Sequence, residues 1–248
     1  MKYFVDPNAA SSAKRAANDF AWAVRNVLAS HSMANIVFAG AESQQPFHHA
    51  LTQRNDIQWS QIRAFAVDEF YDPNIPLELT VAAQPTRDLY AHVLPAEVHV
   101  INHAAPDAEA ERMRYEVLIR DHQPHIACLG IGQSGHIAFN EPGQTDFNDH
   151  RAVSSIDVCE QSQHQLMTDP NFKALGRIPR RGMTITLPVL LHATHVLVVV
   201  PFESKAQVIK RLFDATAITA EFPASILKRS ANVRLYLDQA SHSLCASI

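Results

Sequence analysis

Short apolar segments alternate with longer amphipathic segments along the chain. The apolar segments are rich in β-branched residues and show little polar alternation, which is typical of strands that are covered on both faces. We therefore predict strands at 35–40, 62–67, 98–101, 125–130, 152–158, 183–187, 195–200 and 233–238. Helical periodicity between them predicts helices at 11–31, 106–122, 203–213 and 223–229.

This alternation predicts an α/β fold with a largely parallel sheet, because right-handed crossovers join parallel strands through helices. A length of 248 residues suits one large α/β domain or two small ones. No internal repeat, low-complexity tract or linker divides the chain. We therefore predict a single domain over residues 1–248, a three-layer sandwich around a mostly parallel, Rossmann-like sheet.

Four of the predicted strands end in chemically distinctive segments. These segments are FAGAESQQP, AVDEF, CLGIGQSGHIAFNEPG and VVVPFESK. In folds of this class, ligands bind beyond the carboxyl ends of the strands. Because those ends lie at one edge of a parallel sheet, we expect the four segments to meet there. Together they would offer two carboxylates, an imidazole and a lysine.

The third segment, residues 128–143, contains four of the seven glycines in the chain. Glycine makes up about 7% of average sequences, and it allows sharp bends and close approach to a ligand. His136 and Glu141 are five residues apart in this loop. A carboxylate on one imidazole nitrogen would fix the tautomer while the other nitrogen handles a proton. The alternative is a loop histidine that is bonded to backbone.

Asp68, Glu69 and Lys205 are the candidates on neighbouring strand ends. Asp68 and Glu69 directly follow an apolar strand, where burial raises the pKa of a carboxyl group and suits it to act as a general base. Lys205 lies near a predicted helix N-terminus, where an ammonium and free N–H groups suit a phosphate. The alternatives are a solvated turn or helix cap for Asp68 and a solvated helix lysine for Lys205.

Composition and charge exclude several classes of partner. The net charge of −4 and the isoelectric point near 6.4 argue against nucleic acid, which is bound by basic surfaces. No stretch of about 18 apolar residues predicts a membrane span, and the N-terminal segment lacks the apolar core of a signal peptide. The three cysteines are far apart and are predicted to be free thiols in a reducing compartment. We predict a cytoplasmic protein with no metal.

The segment GIGQSGHIAFNEPG resembles the signature loop of glucosamine-6-phosphate deaminases, which has the form G-x-G-x-D-G-H-I-A-F-N-E-P. VDEF is similar to the M-D-E-Y of that family, and TITLPVL, HVLVVVPFESKAQVI and FPASILKR are similar to its C-terminal half. The related 6-phosphogluconolactonases share the architecture but continue their loop as H-x-A-S-L-F-P. The matching segments extend from about residue 35 to residue 238, and HIAFNEP favours the deaminase branch.

This resemblance implies a role for each matched residue. Asp68 takes the position of the base that removes the C2 proton of the sugar. Ser134, His136 and Glu141 take the positions of the group that opens the pyranose ring. Lys205 takes the position of the lysine that contacts phosphate. The other residues predicted to bind substrate or phosphate are Gly40, Ala41, Glu42, Ser43, Glu69, Gly135 and His164.

Three positions depart from the family pattern. Ser134 replaces the loop aspartate, and a hydroxyl carries no negative charge at neutral pH, so it stabilises an imidazolium less. Ala41 and Glu42 replace part of a small, uncharged turn whose backbone N–H groups hold phosphate. Because a carboxylate repels a phosphate dianion, we expect Glu42 to weaken phosphate binding or to select a less charged ligand. His164 lies near the position of the phosphate-binding arginine of the family.

The resemblance implies an enzyme that converts glucosamine 6-phosphate, or a close analogue, to fructose 6-phosphate and ammonia without a cofactor. One alternative is a 6-phosphogluconolactonase, which needs no C2 proton abstraction. The other is a sugar-phosphate-binding homologue without turnover, which the altered phosphate loop and Ser134 would suit. The predicted partner is a small sugar phosphate. The exact sugar, a homo-oligomer, allosteric control and the orientation of Glu42 are left open.

Overall fold

Parallel strands form the central sheet of the computed structural model, which describes residues 1–168 and 170–245. The strands are β1 Lys2–Asp6, β2 Ala34–Phe38, β3 Ile62–Ala66, β4 Asp68–Phe70, β5 Glu97–His99, β6 Ile126–Leu129, β7 Val153–Asp157, β8 Arg181–Ile185, β9 His195–Val200 and β10 Val233–Asp238. The order across the central sheet is β1-β10-β9-β6-β2-β3-β5, and all neighbouring strands are parallel. The predicted parallel α/β sheet is therefore confirmed.

Helices cover both faces of this sheet. They are α1 Ala9–Leu28, α2 Gln45–Thr52, α3 Ala83–Pro85, α4 Ala108–Asp121, α5 Glu160–Thr168, α6 Pro170–Leu175, α7 Leu187–His192 and α8 Ala206–Asp214. A π-helical turn at Thr86–Tyr90 continues α3, and 3₁₀ turns lie at Glu42–Gln44, Trp59–Gln61, Leu77–Leu79, Glu203–Lys205 and Pro223–Arg229. Apolar residues of α1 and α2 pack on one face, and those of α4, α7 and α8 pack on the other. The three-layer sandwich is thus confirmed.

Local sequence explains where the two longest helices begin and end. The Asn8 side chain accepts a hydrogen bond from the Ser11 backbone N–H at 2.9 Å and caps α1. Asp107 caps α4 by accepting from two backbone N–H groups. Acidic residues occupy the first turn of α4 and Arg120 its last turn. Both features satisfy helix ends and complement the helix dipole.

A second, smaller sheet corrects the prediction of one sheet. The strands predicted at 152–158 and 183–187 are β7 and β8, and with β4 they form a three-stranded antiparallel sheet. The chain leaves the central sheet at Val67, between β3 and β4. The prediction also missed β1, a five-residue strand at the sheet edge whose residues are mostly exposed, so that its apolar pattern is weak.

Two further properties bear on the predicted partners. No helix within residues 1–168 and 170–245 is long and apolar enough to cross a membrane, and no group of three or more His, Cys, Asp or Glu side chains in those ranges is placed to hold a metal ion. Cys128 is buried, Cys159 and Cys245 are half-buried, and all three are free thiols, as predicted.

Candidate active site

A cavity of about 600 Å³ lies at the carboxyl ends of β2, β3, β6 and β9. Its wall contains residues from each of the four predicted strand-end segments, namely 39–45, Asp68 and Phe70, 130–132 and Lys205. Residues of the segment 78–88 line it as well. The four segments therefore meet around one cavity, as the sequence predicts.

Asp68 is the first residue of β4, lines the cavity and is only 5% exposed. Burial raises the pKa of Asp68 well above its ordinary value, and the negative charges of Glu69 and Glu141 raise it further. A carboxylate whose pKa is raised is a stronger base once ionised. The position of Asp68 thus suits proton abstraction from a bound ligand.

Glu69 does not line the cavity, which corrects the prediction that it binds substrate. Successive side chains of a strand point to opposite faces, so Glu69 is turned away from the side of Asp68. Its Oε1 accepts the backbone N–H groups of Phe70 and Val81, each at 2.8 Å, and its Oε2 accepts that of Ala82 at 2.9 Å. Burial raises the pKa of Glu69 to about 7. Glu69 therefore anchors the segment at 81–82.

Two glycines shape the loop that carries the imidazole. A Cβ atom on Gly132 would lie 1.9 Å from Nε2 of His136, so a side chain there would displace the ring. Gly135 has a φ of +93°, and a Cβ atom on it would lie 2.2 Å from the Phe222 ring. Gly135 lies outside the cavity wall, so its predicted contact with substrate is corrected. It is glycine because the backbone turns sharply against Phe222.

Three side-chain oxygens surround Nδ1 of His136. They are Ser134 Oγ at 2.8 Å, Glu141 Oε2 at 3.3 Å and Ser162 Oγ at 3.4 Å. The structure thus places the Ser134 hydroxyl against the imidazole. Nε2 lies over Gly132, which is part of the cavity wall. The three oxygens thus hold the Nδ1 side of the ring, and Nε2 is left on the side that faces the cavity.

Glu141 is fully buried behind the imidazole. Burial raises the pKa of Glu141, but the contact with His136 and those with Ser162 and Cys159 outweigh it, so that the pKa lies below its ordinary value. Glu141 is therefore ionised at neutral pH. Its Oε1 has no hydrogen-bond partner among the described residues. His136 thus has one anionic neighbour and two neutral hydroxyls. We name Asp68, Ser134, His136, Glu141 and Ser162 the catalytic cluster, after the role that is proposed for these residues below.

The small antiparallel sheet connects the two halves of the catalytic cluster. Thr184 of β8 pairs with Asp68 of β4. Its Oγ1 accepts the Phe139 backbone N–H at 3.2 Å and Nδ2 of Asn140 at 3.3 Å. Asn140 also donates to the Ile185 carbonyl at 2.9 Å. One strand therefore fixes Asp68 and the loop that follows His136 relative to each other.

The loop after β2 forms the region where the family resemblance implies phosphate. Gly40, Ala41, Glu42 and Ser43 all line the cavity. Glu42 is exposed and begins a 3₁₀ turn in this part of the cavity wall. The backbone N–H of Ala41 already donates to Oε1 of Gln84, at 3.2 Å.

Lys205 lies in the 3₁₀ turn Glu203–Lys205 directly before α8 and lines the cavity. Its Nζ donates to the Ile131 carbonyl at 2.9 Å. Burial lowers the pKa of Lys205 to about 8, so the amine is mostly charged at neutral pH and loses its charge slightly above it. We name the set of 40–43, Gln84, Arg87, Asp88 and Lys205 the phosphate region.

His164 does not join the phosphate region, and this corrects its predicted role. It is exposed on α5 and lies outside the cavity wall, whereas Ser162 on the same helix is buried and lines it. Residues two apart on a helix project in different directions.

Arg87 does line the cavity, but both its Nε and its Nη2 donate to the carboxylate of Asp88, at 2.7 and 3.1 Å.

Comparison of the sequence with known proteins identifies the family of this chain. The family model described as glucosamine-6-phosphate isomerases/6-phosphogluconolactonase matches residues 7–236. The chain belongs to this family. The glucosamine-6-phosphate deaminase of Bacillus pumilus is 32% identical over 197 residues, which are 78% of this chain and 79% of that protein. The enzyme of the same name from Staphylococcus epidermidis is 27% identical over 229 residues, or 87% and 89% of the two chains.

Solved structures of the family show the same fold. A monomeric glucosamine-6-phosphate deaminase superposes with a TM-score of 0.85 at 24% identity, covering 98% of this chain and 100% of that one. The 6-phosphogluconolactonase of Trypanosoma brucei superposes with a TM-score of 0.76 at 16% identity, covering 99% and 98% of the two chains. Both branches of the family therefore share this architecture.

Ser162, Gln84 and Asp88 are site residues that the sequence analysis missed. Each is a single polar residue within a helical segment, away from the strand ends that motifs identify. No local pattern distinguishes such a residue from a solvated one.

Proposed function

We propose that this member of the family is an amino sugar phosphate deaminase/isomerase that converts glucosamine 6-phosphate, or a close analogue, to fructose 6-phosphate and ammonia. The names of the relatives from Bacillus pumilus and Staphylococcus epidermidis support this activity. The catalytic cluster supports it as well, because it combines a buried base with an imidazole that has an anionic neighbour. The overall reaction consumes one water and releases one ammonia.

In the first step, His136 opens the pyranose ring. Nε2 takes the proton of the anomeric hydroxyl and delivers a proton to the ring oxygen, the bond between C1 and that oxygen breaks, and an aldehyde forms at C1. The imidazole is positively charged between the two transfers. Glu141, with Oε2 at 3.3 Å from Nδ1, stabilises that charge, and the Ser134 hydroxyl at 2.8 Å orients the ring.

In the second step, Asp68 removes the proton at C2. The electrons of the C–H bond form a double bond between C1 and C2, and the aldehyde oxygen becomes a hydroxyl by taking a proton. A proton is then returned to C1, which leaves an imine at C2. Water adds to this imine and ammonia leaves, so that the product is the ketose. The raised pKa of buried Asp68 suits both the removal and the return of a proton.

One observation carries this proposal: Asp68, buried and with a raised pKa, lines the same cavity as His136. Lactone hydrolysis requires no base for a carbon-bound proton. Three measurements on the purified protein test the proposal: ammonia release from glucosamine 6-phosphate and glucosamine, hydrolysis of 6-phosphogluconolactone, and calorimetric binding of each compound. Ammonia release without lactone hydrolysis is expected. Lactone hydrolysis alone would identify a lactonase, and binding without either reaction would identify a non-catalytic sugar-binding protein.

We also infer a cytoplasmic location. The substrate is a phosphorylated metabolite, and Cys128, Cys159 and Cys245 are unpaired, which suits a reducing compartment. A monomer and a homo-oligomer are both compatible with this chemistry, and one solved relative is described as monomeric. Light scattering of the purified chain distinguishes the two states.

A further inference from the structure

The cavity wall carries more carboxylates than cations. Its carboxylates, among the described residues, are Glu42, Asp68, Glu78 and Asp88, and its cations are Arg87 and Lys205. The pKa of Asp68 is raised and Asp88 is paired with Arg87, so the remaining charges are the carboxylates of Glu42 and Glu78 and the ammonium of Lys205. A phosphate dianion that enters this cavity therefore meets more negative than positive charge, and like charges repel. This excess of negative charge thus disfavours binding of a phosphate group, which is the ligand group that the family resemblance implies.

Glu42 contributes most directly to this balance. It stands in the loop whose backbone would hold a phosphate, and its side chain is exposed at the cavity wall. In the part of the chain that the structure describes, its carboxylate makes no hydrogen bond or ion pair. No cation therefore neutralises it, and it adds negative charge to the loop that lines the cavity.

Gln84 occupies one hydrogen-bond donor of the same loop, the backbone N–H of Ala41. Its Oε1 accepts the Ala41 N–H at 3.2 Å, while its Nε2 donates to Asp88 Oδ2 at 2.8 Å and contacts His48 Nδ1 at 3.1 Å. The acceptor on Asp88 fixes the orientation of the amide, so that its oxygen faces Ala41. His48 is fully buried and burial lowers its pKa to about 4, so it is neutral and accepts from the amide. A phosphate would have to displace this bonded side chain.

The two cations of the wall only partly offset these features. Arg87 is bonded through two nitrogens to Asp88, so this pair is nearly neutral. Lys205 donates to the Ile131 carbonyl at 2.9 Å, which leaves further N–H groups for a ligand. An ammonium that can donate and an unpaired carboxylate in the lining of one cavity match a hydroxyl group, which both accepts and donates.

We propose that this site selects a 2-amino sugar whose terminal carbon carries a free hydroxyl, and that Glu42 and Gln84 discriminate against the 6-phosphorylated form. This inference rests on the proposed function for the amino sugar chemistry and names the close analogue that the enzyme uses. Glu42 accepts a hydrogen bond from the terminal hydroxyl, and Lys205 donates one to it. The catalytic cluster acts on C1 and C2 as before.

Calorimetry with glucosamine and glucosamine 6-phosphate tests this selectivity. The proteins are the parent, Glu42→Ser, Gln84→Ala and Glu203→Ser. Glu203 is a matched control, because it is exposed, lies outside the cavity wall and its replacement removes the same charge. The parent should bind glucosamine more tightly than its 6-phosphate. Glu42→Ser should increase the affinity for the 6-phosphate about tenfold or more, Gln84→Ala should increase it less, and Glu203→Ser should leave both affinities unchanged.

The same four proteins are assayed for ammonia release from both sugars. A parent that prefers glucosamine 6-phosphate about tenfold or more, or a Glu42→Ser variant that behaves like Glu203→Ser, would overturn the selectivity. If the affinities follow the expected order but neither sugar releases ammonia, the selectivity stands and the proposed function is wrong. The two failures are therefore distinguishable.

Discussion

The catalytic cluster and the phosphate region face one cavity, yet the structure holds them differently. In the catalytic cluster, Asp68, Ser134 and Glu141 are each at most 5% exposed, and a single strand residue, Thr184, braces both halves. In the phosphate region, Glu42 is exposed, and the Ala41 N–H is bonded to a side chain from another segment.

This difference agrees with the role that is proposed for each region. Proton transfer requires a small number of atoms at fixed distances, so the groups that carry it are buried and braced. The region that binds the far end of a ligand needs only complementary charge and hydrogen bonds. It can therefore change from anion binding to hydroxyl binding while the chemistry stays in place. Four substitutions test this contrast, from the largest expected effect to the smallest.

Asp68→Asn should lower turnover of amino sugars by about 10²- to 10⁴-fold, because the amide keeps the shape of the side chain but cannot accept the C2 proton. Turnover is measured as ammonia release, and exchange of the C2 hydrogen with solvent reports the same step directly. Asp56→Asn, an exposed residue outside the cavity wall, is the matched control. Full activity of Asp68→Asn would remove Asp68 from the mechanism.

Lys205→Met should raise KM for glucosamine 6-phosphate by about 10- to 100-fold, since a hydrogen bond to a charged group contributes roughly 1.5–3 kcal/mol. The pKa of Lys205 lies near 8, so the ammonium is present below that pH and is lost above it. Affinity for the phosphorylated sugar should therefore fall as pH rises through about 8 in the parent, and this step should be absent in Lys205→Met. A smaller loss is expected for glucosamine, because its terminal hydroxyl accepts a hydrogen bond from the same ammonium but carries no charge. An equal loss for the two sugars would argue against an added attraction between Lys205 and phosphate.

Glu69→Gln should lower the free energy of unfolding by about 1–3 kcal/mol, because an amide N–H would face one of the backbone N–H groups that the carboxylate accepts. Those groups belong to Phe70, Val81 and Ala82. Urea unfolding measures the change, and the exposed Glu109→Gln should alter stability by less than about 0.5 kcal/mol. KM should rise as well if the segment at 81–82 shapes the cavity. A variant as stable as the parent would show that these bonds do not anchor the segment.

Ser134→Asp should raise turnover of the cyclic amino sugar severalfold, on the order of a 1 kcal/mol gain when a charged partner replaces a neutral one beside the imidazole. The new carboxylate would lie close to Glu141, since Ser134 Oγ is 3.5 Å from Glu141 Oε2, so thermal stability should fall. The gain should be smaller in the reverse reaction from fructose 6-phosphate and ammonia, where part of the ketose is open-chain. Unchanged or lower forward turnover would indicate a site rebuilt around serine.

Much of the fold could be predicted from local pattern. The strands at 195–200 and 233–238 were predicted to the residue, because buried strands in parallel sheets are continuous apolar runs. The sheet that contains β4, β7 and β8 could not be predicted, because antiparallel pairing of β8 with both neighbours depends on where long connections return. Periodicity reports which faces are buried and does not report which strands pair.

The residues of the candidate site also divide into those whose place the sequence predicts and those whose place it does not. Asp68, His136, Glu141 and Lys205 stand at strand ends or in a glycine-rich loop, and such positions are visible in the sequence. Glu69, Gly135 and His164 were predicted to contact substrate because they are near those positions in the chain. In each case the direction of the side chain or of the backbone places the residue outside the cavity wall. Nearness in sequence does not determine which side of a strand or helix faces a cavity.

By itself, the sequence determined the α/β class, the four strand ends that gather at one edge and the residue types that can open a ring and remove a proton. These depend on hydrophobic period and on local motifs, which are short-range properties. Only the tertiary structure decided that Ser162 joins Ser134 at His136, that Thr184 braces the base against its loop, and that Gln84 occupies the Ala41 N–H. These contacts join residues at least 26 positions apart, and their geometry is set by how the strands and helices pack.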